Sequence, residues 1–509
     1  MFLKVQSATN LGLETIGVDI EVNIASRGLP NFEIVGLPAK SVEESKERVK
    51  TAILNSGLEF PQKRITVNLA PADIPKEGSF YDLPIAVSLL ASVAGCRVPE
   101  NSMFFGELSL DGSLRHTKGG LLLALFAKEN NIKNIFVPKD SANEAAIVSG
   151  VNVFPVEDLN SLLLHLLNRK RMEAAEYKQE NPELNFVKPE FDMAEILGQE
   201  QAKRAIEIAA AGGHNVIMVG SPGSGKTMLA RALAGILPNL QNKESMEVTK
   251  IYSAAGKIPP GGSIITRCPY RAPHHTISRI GLIGGGAKPK PGEVSLAHRG
   301  VLFLDEFAEY PRSVMEVLRQ PMEDGKLTIC RTMASVDYPA RFILAASANP
   351  CPCGYLMHPK KNCICSEREI SRYKKRISGP IMDRIDLHVE VPVTDIEELA
   401  DSEGAKRFIE TSEKIRQRVI KTRNIQKERF ADDNIFTNAE MKNEQIKKYC
   451  NLSKESRQIL TASAIRFNLS ARSYFKTIKV ARTIADLAGA ENIEMPHIAE
   501  AIQYHFKES

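Results

Sequence analysis

The chain has 509 residues, 43% of them hydrophobic and 25% charged, which is ordinary for globular domains and room for about three of them. Its net charge of +5 and pI near 8.6 permit nucleic-acid binding without demanding it. No apolar run reaches the roughly 18 residues of a bilayer span, and no basic-then-apolar leader follows Met1, so no membrane partner is expected and the expected compartment is the cytoplasm.

In chain order, residues 15–25, 32–35, 65–69, 103–109 and 134–137 have strand patterns, while residues 42–56, 83–94 and 120–130 have helical spacing. This predicts an α/β domain over residues 1–167. Residues 168–190 are polar and lack apolar periodicity, which predicts a linker, in part helical. A second α/β segment covers residues 191–393, with apolar strands at 215–219, 301–304 and 342–345. Residues 394–509 are helical by pattern, with helices at 473–487 and 496–505. The Lys/Arg-dense stretch 413–430 reads as a solvated helix face, with a nucleic-acid contact as the alternative.

Chemistry concentrates in the second segment. Gly220-Ser221-Pro222-Gly223-Ser224-Gly225-Lys226-Thr227 matches GxxxxGK[ST], follows an apolar strand and opens a helix, the context that a phosphate loop requires. Its backbone N–H groups converge on phosphates, Lys226 reaches the β and γ phosphates, and the Thr227 hydroxyl can ligate Mg²⁺. The cofactors expected are therefore ATP and Mg²⁺. The strand at 301–304 ends in Asp305-Glu306, the form of a Walker B element. Asp305 suits the metal shell and Glu306 the polarisation of water. A third strand runs through Ser347 to Asn349, whose polar groups can orient water or phosphate.

Four cysteines cluster as Cys351-Pro-Cys353 and Cys363-Ile-Cys365. Two close pairs can supply the four sulfur ligands of a structural Zn²⁺, with His358 as a substitute ligand and four free thiols as the alternative.

Gly198-Gln199, the Walker pair, Asn349 and Gly379-Pro-Ile-Met-Asp383-Arg384-Ile-Asp386 resemble the magnesium-chelatase type of AAA+ ATPase. The likeness extends through Tyr270-Arg271-Ala-Pro-His274-His275-Thr276, Gly284-Gly-Gly286, Pro291-Gly292-Glu293-Val-Ser295-Leu-Ala-His298 and Asn349-Pro-Cys-Pro-Cys353-Gly. Nearly the whole chain is similar to the ComM (YifB) family of DNA branch-migration motors in natural transformation. The resemblance implies Asn349 as sensor 1, Arg384 as an arginine finger acting on a neighbour's ATP, and Arg472 as sensor 2 with Arg482 as the fallback. It also implies a hexameric ring, and DNA as partner, single-stranded or branched. For Arg384 the alternative is an ion pair with Asp383 or Asp386. Lys326 and Arg331 fall where related rings carry a pore-facing hairpin, which makes them candidate DNA contacts.

The pattern Pro75-Lys-Glu-Gly78-Ser79-Phe80-Tyr81-Asp82, with Gly119-Gly120 downstream, resembles the Lon-type protease fold. Alignment sets its nucleophilic serine on Phe80 and its lysine on Leu122, so the expected domain lacks peptidase chemistry. Ser79 and Lys118 would restore it only through a register error. The expected fold class is then a multidomain α/β chain: an inactive Lon-protease-like domain (1–167), a linker (168–190), an AAA+ P-loop core (191–393) with a four-cysteine loop (351–365), and a C-terminal helical lid (394–509). The expected activity is a DNA-translocating ATPase, with a chelatase-type motor that remodels a protein as the competing reading and an ATP-dependent protease as the third.

Overall fold

The computed structural model describes residues 2–74, 76, 78–178, 191–258, 262, 264–286, 290–331, 334–377, 379–393 and 410–505. The first sheet uses β1 (Phe2–Leu11), β2 (Glu14–Ile24), β3 (Asn31–Val35), β4 (Arg64–Ala70) and β5 (Ser102–Phe104). A small hairpin, β6 (Glu107–Leu108) with β7 (Leu114–Arg115), lies apart, and β8 (Asn134–Pro138) and β9 (Asn152–Val156) complete the sheet. Its order is β3-β4-β2-β1-β5-β8-β9, antiparallel around β2 and parallel elsewhere. Strand β4 alternates buried and half-buried residues, as a period of two requires. The helix Asp82–Ala94 is apolar on nearly every face and lies in the core beneath β1 and β2. Its one acid, Asp82, is buried and bonded to Arg48 Nε at 2.8 Å, which satisfies a charge that burial would otherwise make costly.

Residues 171–178 form neither helix nor free linker. Ala175 donates its amide to Val153 at the sheet edge, and the Tyr177 hydroxyl accepts from the Ile264 amide of the following segment. Residues 179–190 of the expected linker lie outside the described residues.

The second sheet is fully parallel. It comprises β10 (Val216–Val219), β11 (Tyr270–Arg271), β14 (Val301–Leu304), β17 (Ile343–Ala348) and β18 (Leu387–Glu390), in the order β11-β14-β17-β10-β18. Central strand β17 is buried at every position, as expected of a parallel strand covered on both faces. Two hairpins stand outside it: β12 (Gly284–Gly285) with β13 (Lys290–Pro291), and β15 (Lys326–Arg331) with β16 (Ala334–Pro339). The described chain ends in the helices Ser412–Arg429, Asn443–Tyr449, Lys454–Arg466, Ala471–Ala488 and Met495–Gln503. These share one hydrophobic cluster with the parallel sheet, Ile478 and Ile484 packing with Ile206 and Leu233.

The basic stretch predicted as a solvated face is one on its lysine side, where Lys414, Lys421 and Lys427 are exposed, while its arginines are half-buried and paired. Arg416 donates to the Leu237 carbonyl, Arg418 pairs with Glu207, Arg423 donates to the Ala210 carbonyl, and Arg429 pairs with Asp486. Arg416, Arg418 and Arg423 fasten the helix Ser412–Arg429 to the segment that carries the parallel sheet, and Arg429 fastens it to the helix Ala471–Ala488.

Candidate functional site: a phosphate cradle at the strand ends

Parallel sheets bring ligand-binding loops to the carboxyl ends of their strands. Here the loops after β10, β14 and β17 converge. The first runs from Gly220 into the helix Lys226–Ile236, and Gly223 (φ +78) and Gly225 (φ +87) take the left-handed conformation that favours glycine. An added Cβ at either position would meet nothing within 4 Å, so the loop encloses open space. The hydroxyls of Ser221 and Ser224 are buried with no partner among the described residues. Buried polar atoms normally find a partner, so these two hydroxyls fit a polyanion.

Lys226 is buried, its ammonium donating to the Gly220 and Ser221 carbonyls at 2.6 and 2.9 Å and lying 3.4 Å from Asn349 Oδ1. Desolvation lowers its pKa, opposed by the charges of Asp305 and Glu306. Thr227 Oγ1 donates to Asp305 Oδ2 at 3.1 Å, while Ser347 Oγ hydrogen-bonds Asp305 Oδ1. Thr227 and Asp305 thus offer the hard oxygen ligands that Mg²⁺ takes. Glu306 sits at φ 52, a strained value for a non-glycine, and its carboxylate points outward to His275 Nδ1 at 3.2 Å.

Several residues that sequence reasoning left without a role belong to this site. His275 holds Glu306 and lies against His274 with ring centroids 4.1 Å apart. Gln199 donates its side-chain amide to the Ser224 carbonyl at 3.1 Å and to Pro392, tying the loop to the end of β18. Both lie within the strings that carried the family likeness, and that was their only signal.

The four cysteine sulfurs lie within 4.8 Å of one another. Cys351 is 3.4 Å from Cys353 and 3.7 Å from Cys363, and Cys353 is 3.6 Å from Cys363. Tetrahedral Zn²⁺ with Zn–S bonds near 2.3 Å sets sulfurs about 3.8 Å apart, so the group fits that ion. Amides of Tyr355 and Ile364 lower the Cys353 thiol to about 6. His358 does not join the set: its Nδ1 accepts from the Lys360 and Lys361 amides. The loop also touches the cradle, since a Cβ on Gly354 would stand 2.6 Å from Pro222.

Arg384 and Arg472 are together, but not at this cradle. Asn215, which precedes β10, donates to the Arg384 carbonyl at 3.1 Å, whereas the cradle follows the other end of β10. One strand length, about 13 Å for four residues, separates them. Both arginines hydrogen-bond the carboxylate of Glu323 and line a cleft of about 1000 Å³ between the sheet and the C-terminal helices. Asp386 instead accepts from the Asn215 amide, so neither acid considered as an ion-pair partner holds Arg384. Arg482, the fallback, is buried and bonded to Asp486 and to the Ala490 and Glu491 carbonyls, a structural arginine.

Lys326 is exposed on β15 and paired across the hairpin with Asp337 at 2.9 Å. The Arg331 side chain lies outside the described residues. In the N-terminal domain Phe80 stacks on Phe105, Leu122 is buried, Ser79 hydrogen-bonds Glu107, and the Lys118 side chain lies along Gly256. Ser79 and Lys118 therefore do not form a pair. No helix among the described residues is long and apolar enough to cross a membrane.

Family models for magnesium chelatase subunit ChlI match residues 192–399 and 20–141, and one for the C-terminal part of that subunit matches 409–505. The chain is 40% identical to the competence protein ComM of Haemophilus influenzae, covering 98% of this chain and 96% of that protein. It is 39% identical to the YifB protein of Escherichia coli over the same shares. To the magnesium-chelatase 38 kDa subunit of Rhodobacter capsulatus it is 28% identical, over 32% of this chain and 51% of that protein. With a phosphate cradle on a parallel sheet and this likeness along nearly its full length, the chain belongs to the ComM/YifB family of magnesium-chelatase-like AAA+ ATPases.

Proposed function

We propose that this chain is an ATP-driven hexameric ring that moves on DNA, with branch migration of recombining strands as its output. The observation that carries the reading is the likeness to a competence protein over 98% of the chain, joined to a cradle with the donor set for a nucleoside triphosphate. Lys226 and the loop amides bind the β and γ phosphates, and Thr227 with Asp305 holds the metal. When bound, Mg²⁺ neutralises charge that develops on the phosphates. Glu306 accepts the proton of the attacking water, and His275 restrains its carboxylate until then. Asn349, beside the Lys226 ammonium, orients the γ-phosphate end. Arg384 and Arg472, a strand length away from their own cradle, act on ATP held by a neighbouring subunit. Lys326 and Arg331 of the β15–β16 hairpin contact the DNA backbone.

The deciding experiment measures ATP hydrolysis with single-stranded, duplex and branched DNA, with Lys226→Ala and Glu306→Gln as controls. Stimulation by DNA that weakens as salt rises is expected of a motor gripping phosphates. If no DNA form stimulates hydrolysis, the DNA reading fails, and the chelatase-type alternative, a motor that remodels a protein partner, takes its place.

Cys351, Cys353, Cys363 and Cys365 hold a structural zinc that braces the cradle through Gly354 and Pro222. Metal analysis of protein prepared without added zinc should find close to one equivalent, and under about a tenth would end the claim. Residues 1–167 are a Lon-protease-like domain that has become a scaffold, joined by residues 168–190 to the core at 191–393 and the lid at 394–509. The half-buried Phe80, stacked on buried Phe105, and the buried Leu122 support a loss of peptidase chemistry.

A further inference from the structure

Glu323 lies in the helix Arg319–Asp324, outside every motif of the phosphate cradle. Its two carboxylate oxygens are divided between arginines from distant parts of the chain. Oε2 accepts from Arg384, just beyond the helix Gly379–Met382, and Oε1 accepts from Arg472, in the first turn of Ala471–Ala488. Two guanidiniums held side by side repel one another, and a shared anion removes that repulsion. The hydrogen bond from Arg384, then the charges of Arg384 and Arg472, hold the Glu323 carboxyl below the ordinary carboxylate range. The anion is therefore in place at neutral pH.

The two arginines differ in freedom. Arg384 is largely buried: Nη1 donates to the Pro380 carbonyl at 2.7 Å, and Nε is buried with no partner among the described residues. The Arg472 side chain is 43% exposed and lines the cleft. Two positive charges and one negative leave one net positive charge, with donors that an incoming phosphate can use. A group fixed before the transition state forms is worth far more than one that must be ordered during it.

We infer that Glu323 is a positioning residue: it holds Arg384 and Arg472 as one preformed unit that meets the γ-phosphate bound by a second copy of this chain. The inference rests on the shared-site reading above and adds to it a residue from outside the motifs. It also explains why helix Ala471–Ala488 and the segment after β17 meet on this face. Without Glu323 the two arginines separate, and the neighbouring site loses both together.

The test uses the full chain and mixed assemblies. Glu323→Gln keeps the shape of the side chain and removes its charge. ATP turnover should fall roughly tenfold or more, because misplaced catalytic groups carry losses of that order, while binding of a fluorescent ATP analogue is retained. Mixing Glu323→Gln with Lys226→Ala, each weak alone, should restore turnover. In random rings about a quarter of the interfaces then join an intact cradle to intact arginines. A variant that merely failed to fold would not be rescued. Wild-type turnover by Glu323→Gln overturns the inference. So does an inactive mixture under conditions where Arg384→Ala mixed with Lys226→Ala regains activity. If that second mixture is itself inactive, the shared site falls, and the role of Glu323 falls with it.

Discussion

Arg472 and Arg482 stand ten positions apart on one helix, and sequence alone offered both for a single role. Their surroundings separate them. Arg482 is 1% exposed, and its guanidinium bonds to Asp486 and to two carbonyls at the end of its own helix. Removing it empties a buried site and leaves the Ala490 and Glu491 carbonyls without their donor, while Asp486 keeps Arg429. Arg482→Ala should therefore lower unfolding free energy by about 2–5 kcal/mol, the range for truncating a large buried side chain. Arg472→Ala breaks only a partly exposed contact and should cost less than about 1 kcal/mol, while ATP turnover falls. Chemical denaturation of both variants beside their ATPase rates checks the contrast; equal stability losses would contradict it. The same logic explains what was legible at the cradle. Lys226, Thr227, Asp305 and Glu306 could be read because backbone geometry fixes their spacing in the sequence. His275 could not, because its partner Glu306 lies on a different loop, and Glu323 could not, because it meets its arginines only through tertiary packing.

At the scale of elements, strands with clear alternation were read closely: residues 65–69 fall within β4 and residues 15–25 nearly coincide with β2. Residues 103–109 instead break into β5 and β6, because Gly106 leaves the sheet to bond through its amide to Phe80 and through its carbonyl to Leu83 at the start of the helix Asp82–Ala94. Contacts between elements left no trace in the pattern. The turn between β1 and β2 carries Leu11 and Leu13 into the apolar cluster beneath the β15–β16 hairpin, so the N-terminal domain touches the hairpin proposed to grip DNA. Gly12 at that turn has φ +66, and an added Cβ would lie 2.2 Å from Val336 Cγ1. Gly12→Val should cost about 1–3 kcal/mol from strain and overpacking. Hydrogen exchange should also quicken in residues 326–331 and 334–339. Gly57→Ala is the control: φ is +72 there, but nothing lies within 4 Å of the added carbon. Gly57→Ala should carry the backbone penalty alone and leave the hairpin protected. Equal exchange in the two variants would show that the turn does not hold the hairpin.

At the scale of the whole molecule, one charged network ties three segments together. Glu247, on the helix Asn242–Ala255, accepts from His298 Nε2 and Arg299 Nε at 3.0 Å each. Arg299 continues to Glu440 in the C-terminal segment at 3.2 Å, and Glu440 also receives Arg341. Burial alone would raise the Glu247 carboxyl, but the hydrogen bond from His298 and the charge of Arg299 outweigh it and bring it down to about 2. Its ordinary value is 4.5. A carboxyl depressed in the folded state stabilises the fold fully above its unfolded pKa, and that contribution disappears as pH falls through the folded value. His298 acts in the same direction: burial lowers its pKa, so below 6.5 the unfolded chain takes up that proton first. The stability difference between wild type and Glu247→Gln should accordingly stay level above about pH 5 and narrow steadily below it. Melting temperatures of the two proteins across that range provide the measurement. A difference that persists undiminished on acidification would mean that Glu247 supports the joint by packing alone. A difference that closes would identify charge as what holds the C-terminal helices against the ATPase sheet, on the wall of the cleft that Arg384 and Arg472 line.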